Sequence, residues 1–339
     1  NGADGVAQNF EKAVEWYEKA GVGYEPIVDA DKLFIEGLAY YNGDGVEKDF
    51  EKAFELFKKA VELNYSDAML VLAHMYRYGE GVEKNLQKAF ELYDTAAELN
   101  ESEAFINLGF MYYHGEGVEK DFGQAFNYFE RASQRDSVVL CALAMMYHNG
   151  EGVEKNLQKA FEYLKTSADF GDVSGMFFLG LMYFEGDCVE YDFKKAVELW
   201  TKTADKGHVE SIFRLGKAHY EGKGVAKNFT KAFNFYKKAA DLGHGLAMNN
   251  LADMYGSGEG CTQNHEKAVE LWQKASEGNV ADAMYKLGGI YHVLYRDSKK
   301  ALEYLKKAAT LGNADSMYYI ALMYENGYGV EKNQQKAFE

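Results

Sequence analysis

The sequence writes GEGVEKNLQKAF twice, at residues 79–90 and 150–161, and nearly a third time as GYGVEKNQQKAF at 327–338. These copies belong to a longer pattern. The alanines of its KA and QA pairs, Ala13, Ala53, Ala89, Ala125, Ala160, Ala196, Ala232, Ala268, Ala301 and Ala337, follow in steps of 40, 36, 36, 35, 36, 36, 36, 33 and 36 residues. A fixed period in this range restricts a chain to a stack of like supersecondary units, each burying its apolar face against the next.

Each unit has two halves. In SGMFFLGLMYFEGDCVEYDFKKAVELWTKTADKG, Ser174 to Gly207, apolar residues recur at helical three- and four-residue intervals in both. The spacing predicts a first helix that stops at Gly186 and a second that starts at Asp192 and ends at Gly207. Asn9, Asp49, Asn85, Asp121, Asn156, Asp192, Asn228, Asn264, Asp297 and Asn333 stand four residues before each ruler alanine, the place for a side chain that caps free N–H groups. A glycine loop opening a helix also suits phosphate, but no copy carries the lysine and hydroxyl of a P-loop, so the loop reads as a joint. Small residues, Ala73, Gly109, Ala144, Gly180, Gly216, Ala252, Gly288 and Ala321, mark close helix approach beside inner leucines such as Leu72 and Leu108. Tyr76, Tyr112, Tyr147, Tyr183, Tyr255, Tyr291 and Tyr324 read as packing positions. The expected fold is an all-α solenoid of about nine 36-residue helix pairs.

Composition narrows the function. A formal charge of -16 at pH 7, with no dense Lys/Arg cluster, argues against nucleic acid. Cys141, Cys188 and Cys261 have neither metal spacing nor a disulfide framework, and no apolar run approaches the roughly 18 residues of a membrane helix. Motifs for hydrolases, zinc sites and nucleophile elbows are absent, and His114 with His148 lacks a third ligand. No enzyme, cofactor or metal is expected, and the compartment stays open.

The pattern L-G-x-M-Y, G-x-G-V and K-A-x-x-x-x-x-K-A-A-x-x-G, fullest in LGFMYYHGEGVEKDFGQAFNYFERA from Leu108 and LGKAHYEGKGVAKNFTKAFNFYKKAADLG from Leu215, resembles the Sel-1-like repeat family, a relative of tetratricopeptide repeats. The resemblance spans essentially the whole chain. Departures are Glu36 in the slot of the inner leucine, His219 in that of the tyrosine, and a loop after Tyr291 shorter by three residues. It implies a right-handed superhelix serving as an adaptor, bacterial members in signalling and host-cell interaction and eukaryotic ones in assembling membrane-associated complexes. The paired cysteines of the family's cysteine-rich branch are missing. The expected division is residues 1–30, the second helix of a truncated first repeat plus a longer connection; 31–311, eight complete repeats; and 312–339, a truncated last one. Ends inside repeats lead to the expectation of a longer parent or of covering partners.

Related solenoids line their concave surface with the first helices. With the first small residue of such a helix as position zero, the core takes positions 0, 1, 4, 5, 7 and 8, leaving 2, 3, 6, 9 and 10 outward. Those positions hold Leu70, His74 and Arg77; Ile106, Phe110 and Tyr113; Met145 and His148; and Phe177, Phe178, Leu181 and Phe184. They continue as Phe213, Arg214, Lys217 and Tyr220, then Asn249 and Asn250, then Tyr285. An apolar stripe grading into a polar, partly basic stretch suits an extended segment or helix of a protein partner. The alternatives are a glycan or cell-wall ligand stacked on the aromatic rings, the targeting arm of a larger enzyme, or burial of the stripe against the next repeat.

Overall fold

The computed structural model describes residues 29–133 and 137–338, which hold eighteen α-helices, one 3₁₀ turn and no strand. Expectations for Asn9, Ala13 and the extra residues of the first long step fall on residues 1–28, outside that range. The chain divides into two compact units, Asn1–Lys155 and Asn156–Glu339. The first contains α1 (Ala30–Asn42), α2 (Phe50–Glu62), α3 (Ser66–Tyr78), α4 (Leu86–Glu98), α5 (Ser102–His114), α6 (Phe122–Ser133) and α7 (Leu140–Asn149), the last entered through the 3₁₀ turn Ser137–Val139. The second contains α8 (Leu157–Asp169), α9 (Val173–Glu185), α10 (Phe193–Asp205), α11 (Val209–Glu221), α12 (Phe229–Asp241) and α13 (Gly245–Ser257). It continues through α14 (His265–Glu277), α15 (Ala281–Val293), α16 (Ser298–Thr310), α17 (Ala314–Asn326) and α18 (Gln334–Phe338). In each unit every helix packs on its sequence neighbours, pair upon pair.

Helix ends lie where local chemistry puts them. Each even-numbered helix of the second unit after α8 opens on an Asp or Asn whose Oδ1 accepts from a lysine N–H three residues on, as Asn228 does from Lys231 at 2.9 Å. Asp49, Asn85 and Asn156 do the same for α2, α4 and α8, and Asp121 opens α6 by accepting from the Gln124 N–H. Gly186 stops α9 at φ 74°, the left-handed backbone that glycine takes without a Cβ penalty. α15 has no such glycine; its shortened loop continues through Leu294 in a right-handed conformation.

Within a pair, a small residue meets a large one. A Cβ on Gly216 would stand 2.6 Å from the Tyr236 ring, and one on Gly109 2.5 Å from that of Phe129. Tyr236, Phe129, Trp200, Tyr93 and Phe57 are all fully buried on even-numbered helices. Between pairs, the recurring tyrosine stands edge-on to a phenylalanine of the preceding repeat: Phe54 with Tyr76 at 5.4 Å, Phe90 with Tyr112 at 5.5 Å, Phe233 with Tyr255 at 5.2 Å. His219 occupies that slot where the preceding phenylalanine has become Val197, and it lies flat on Phe235 of its own repeat at 5.6 Å.

Candidate partner-binding face

The face expected from the odd-numbered helices resolves into three rows. Position 2 is the first, and four of its residues are core: Leu70 is 8% exposed, Phe177 and Phe213 7%, and Asn249 5%. This corrects their assignment as open groove residues. A helical wheel knows only its own helix, whereas here the start of the next odd-numbered helix covers the position. His208, which caps α11, sits 4.8 Å from the Phe177 ring, and His244, which caps α13, 4.6 Å from Phe213. Ile106 and Tyr285 in the same row are half-buried.

Position 9 is the second row, and it joins repeats. Tyr113 donates to Glu151 at 2.8 Å and Tyr220 to Glu259 at 2.7 Å. Arg77 donates to Glu116 at 2.8 Å and to Asn107 at 3.1 Å, and Tyr41 of α1 donates to Glu80 at 2.6 Å. Each glutamate acceptor stands between the two glycines of the next repeat's loop. Phe184 has nothing to donate, and there the loop supplies Lys223, whose ammonium lies 5.4 Å from the ring centroid. Arg77, Tyr113, Tyr220 and Phe184 thus serve as ties between repeats, a role the sequence reading did not give them. Burial and the Glu80 hydrogen bond push the Tyr41 phenol up to about 12; for Tyr220 the Glu259 hydrogen bond comes first, then burial, again to about 12. His148, also in this row, has its Nδ1 3.0 Å from Asn149 Oδ1.

Positions 3 and 6 are the half-buried remainder: His74, Phe110, Met145, Phe178, Leu181, Arg214, Lys217 and Asn250. Some are partly engaged. Phe110 stands edge-on to Phe129 at 5.0 Å. Arg214 donates to Glu210 at 3.0 Å, and Glu210 also accepts from His244 Nε2 at 2.9 Å. Both hold its carboxyl below the usual carboxylate range, His244 contributing most.

Two recesses open on this row, one in each unit. In the first, α1, α3 and α5 enclose about 340 Å³ over an apolar floor of Phe34, Leu38, Leu70 and Val71. Tyr41, Asn42, Asp67, His74 and Glu103 surround it. In the second unit, Lys217, Tyr220 and Glu221 of α11, Tyr236 of α12, and Asn250 and Asp253 of α13 line about 180 Å³. Lys286 pairs with Asp253 there, and Trp272 Nε1 donates to the same carboxylate at 3.2 Å. The sequence reading missed Phe34, Leu38 and Tyr41, because Glu36 in the leucine slot disguises α1 as a weak repeat.

The nearest approach to catalytic geometry is Ser211, 2.8 Å from His208 Nδ1 and 2.6 Å from Thr203. Ser211 and Thr203 are 0% exposed, so this hydroxyl meets no substrate and belongs to the α11 cap. Among the described residues, no three His, Cys, Asp or Glu side chains could hold a metal ion, and no helix is long and apolar enough to cross a membrane.

The Sel1 repeat profile matches residues 1–21, 36–65, 66–101, 102–137, 138–172, 173–208, 209–244, 245–280, 281–313 and 314–339. The chain belongs to the Sel1-repeat family. A Sel1-repeat protein of similar structure is c5321, a protective antigen of uropathogenic Escherichia coli strains with an SLR fold, at 30% identity and a TM-score of 0.73 over 96% of this chain and 70% of that one. A second, from Oxalobacter formigenes, gives 26% identity and a TM-score of 0.65 over 72% of this chain and 96% of its own. Curated proteins yield no match. Sel1 repeats form α/α solenoids, generally serve protein–protein interaction and are generally not enzymes.

Proposed function

We propose that this Sel1-repeat chain is a recognition scaffold that holds an extended segment or helix of another protein against its odd-numbered helices. The observation that carries this reading is the row of positions 3 and 6, which neighbouring repeats leave half-buried and which opens into a recess in each unit. The contents fit a peptide: an apolar floor in one recess, and amide, ammonium and carboxylate groups in the other that can pair with a backbone. Likeness to the Escherichia coli and Oxalobacter proteins supports a bacterial setting, with signalling or host contact as the context.

A glycan needs open ring faces, whereas Phe177 and Phe213 are buried and Phe184 packs on Phe193 and Trp200 at 5.1 and 5.3 Å. The protein reading is therefore preferred. Its test is affinity capture with Leu181→Glu beside Lys202→Glu on the exposed side of α10. The first should lose the partner with helical content unchanged, and the second should keep it. Equal capture by both variants would count against this face. Phe177→Glu is unsuited, since at 7% exposure it tests the core.

A further inference from the structure

Resting on that reading, we propose that the α1–α3–α5 recess takes an apolar side chain from a partner segment bearing a lysine or arginine within about one helical turn of it. The floor of Phe34, Leu38, Leu70 and Val71 is wide enough, at about 340 Å³, for one leucine- or phenylalanine-sized group, and Phe34 is fixed by Phe57 and Tyr65 at 5.7 and 5.1 Å. Its mouth is negative. Asp67 and Glu103 line it, and no lysine or arginine does. Neither carboxylate accepts a side-chain hydrogen bond or joins an ion pair among the described residues, whereas Glu80 and Glu116 nearby are bound by Tyr41 and Arg77. Arg77 is thus committed to Glu116, and uncompensated charge over an apolar floor selects a partner that is both apolar and cationic.

Each acid also sits in the first turn of α3 or α5, where it favours the helix dipole. That role needs no neighbouring recess and predicts no ligand preference, so the two accounts separate by experiment. A random dodecapeptide library displayed on phage is selected on the intact chain and on the Asp67→Asn/Glu103→Gln variant. The wild type should enrich peptides with Lys or Arg within four residues of Leu, Ile, Phe or Met. The variant should enrich apolar peptides without that bias and bind a wild-type-selected peptide roughly tenfold more weakly, with the difference shrinking in high salt. Val71→Glu, checked by circular dichroism for retained helix, should abolish binding by both. Apolar peptides without basic bias that remain sensitive to Val71→Glu would overturn the charge preference and leave the concave-face reading standing. Peptides indifferent to Val71→Glu, or no enrichment at all, would overturn both.

Discussion

Glu210 joins two helices through one carboxylate, accepting from His244 at the start of α13 and from Arg214 one turn along α11. Its folded pKa lies below the ordinary carboxylate value, so its contribution is present above the ordinary range and is lost as pH falls through the lowered value. Glu210→Gln should lower the urea midpoint at pH 7 and flatten the acid limb of a stability–pH curve measured down to pH 3. Steric fit gives a second prediction. Gly216→Ala places a methyl 2.6 Å from the Tyr236 ring and should cost about 1–3 kcal/mol in denaturant unfolding. Asn228→Ala removes the bond to the Lys231 N–H and should cost about 1 kcal/mol by the same measurement.

Between helices, the ties at position 9 set how one repeat meets the next. Arg77 and Glu116 lie 39 residues apart in sequence, and in a double-mutant cycle should couple by about 1 kcal/mol, since Arg77 is largely covered. At Phe184 the pairing is of another kind. Phe184→Tyr alone should not stabilise, because Lys223 faces it, whereas adding Lys223→Glu should recover a tie like that of Tyr220 and Glu259. This distance also explains what the sequence could tell. Helix ends at Asp192 and Gly186 were legible because capping is decided within four residues. The burial of Phe177 and Phe213 was not, because their cover comes from histidines one repeat onward, His208 and His244. Position 9 looked outward on the wheel for the same reason, and the α1 floor was hidden by Glu36. The separation of the stripe into core, tie and recess was not readable, because it is decided between repeats.

Over the whole chain, stability is a sum of pairs and of the contacts between them, because within a unit each helix packs chiefly on its sequence neighbours, with further ties such as Arg77 to Asn107 reaching the like helix of the next repeat. Excising residues 209–244, one matched repeat, should leave ellipticity per residue nearly unchanged while lowering the unfolding midpoint. The truncated chain would bring Phe184 against Glu259 in place of Lys223, so part of the loss should be recovered by Phe184→Tyr.

In the first unit the ties overlap along the chain: 41 with 80, 77 with 116, 113 with 151. A cut made anywhere between Tyr41 and Glu151 separates at least one donor from its acceptor. No repeat there is a free-standing cassette, however alike the copies of GEGVEKNLQKAF look, for each carries half of its neighbour's matching key. A graft between two such arrays will seat well only when donor and recipient agree on the residue between the glycines.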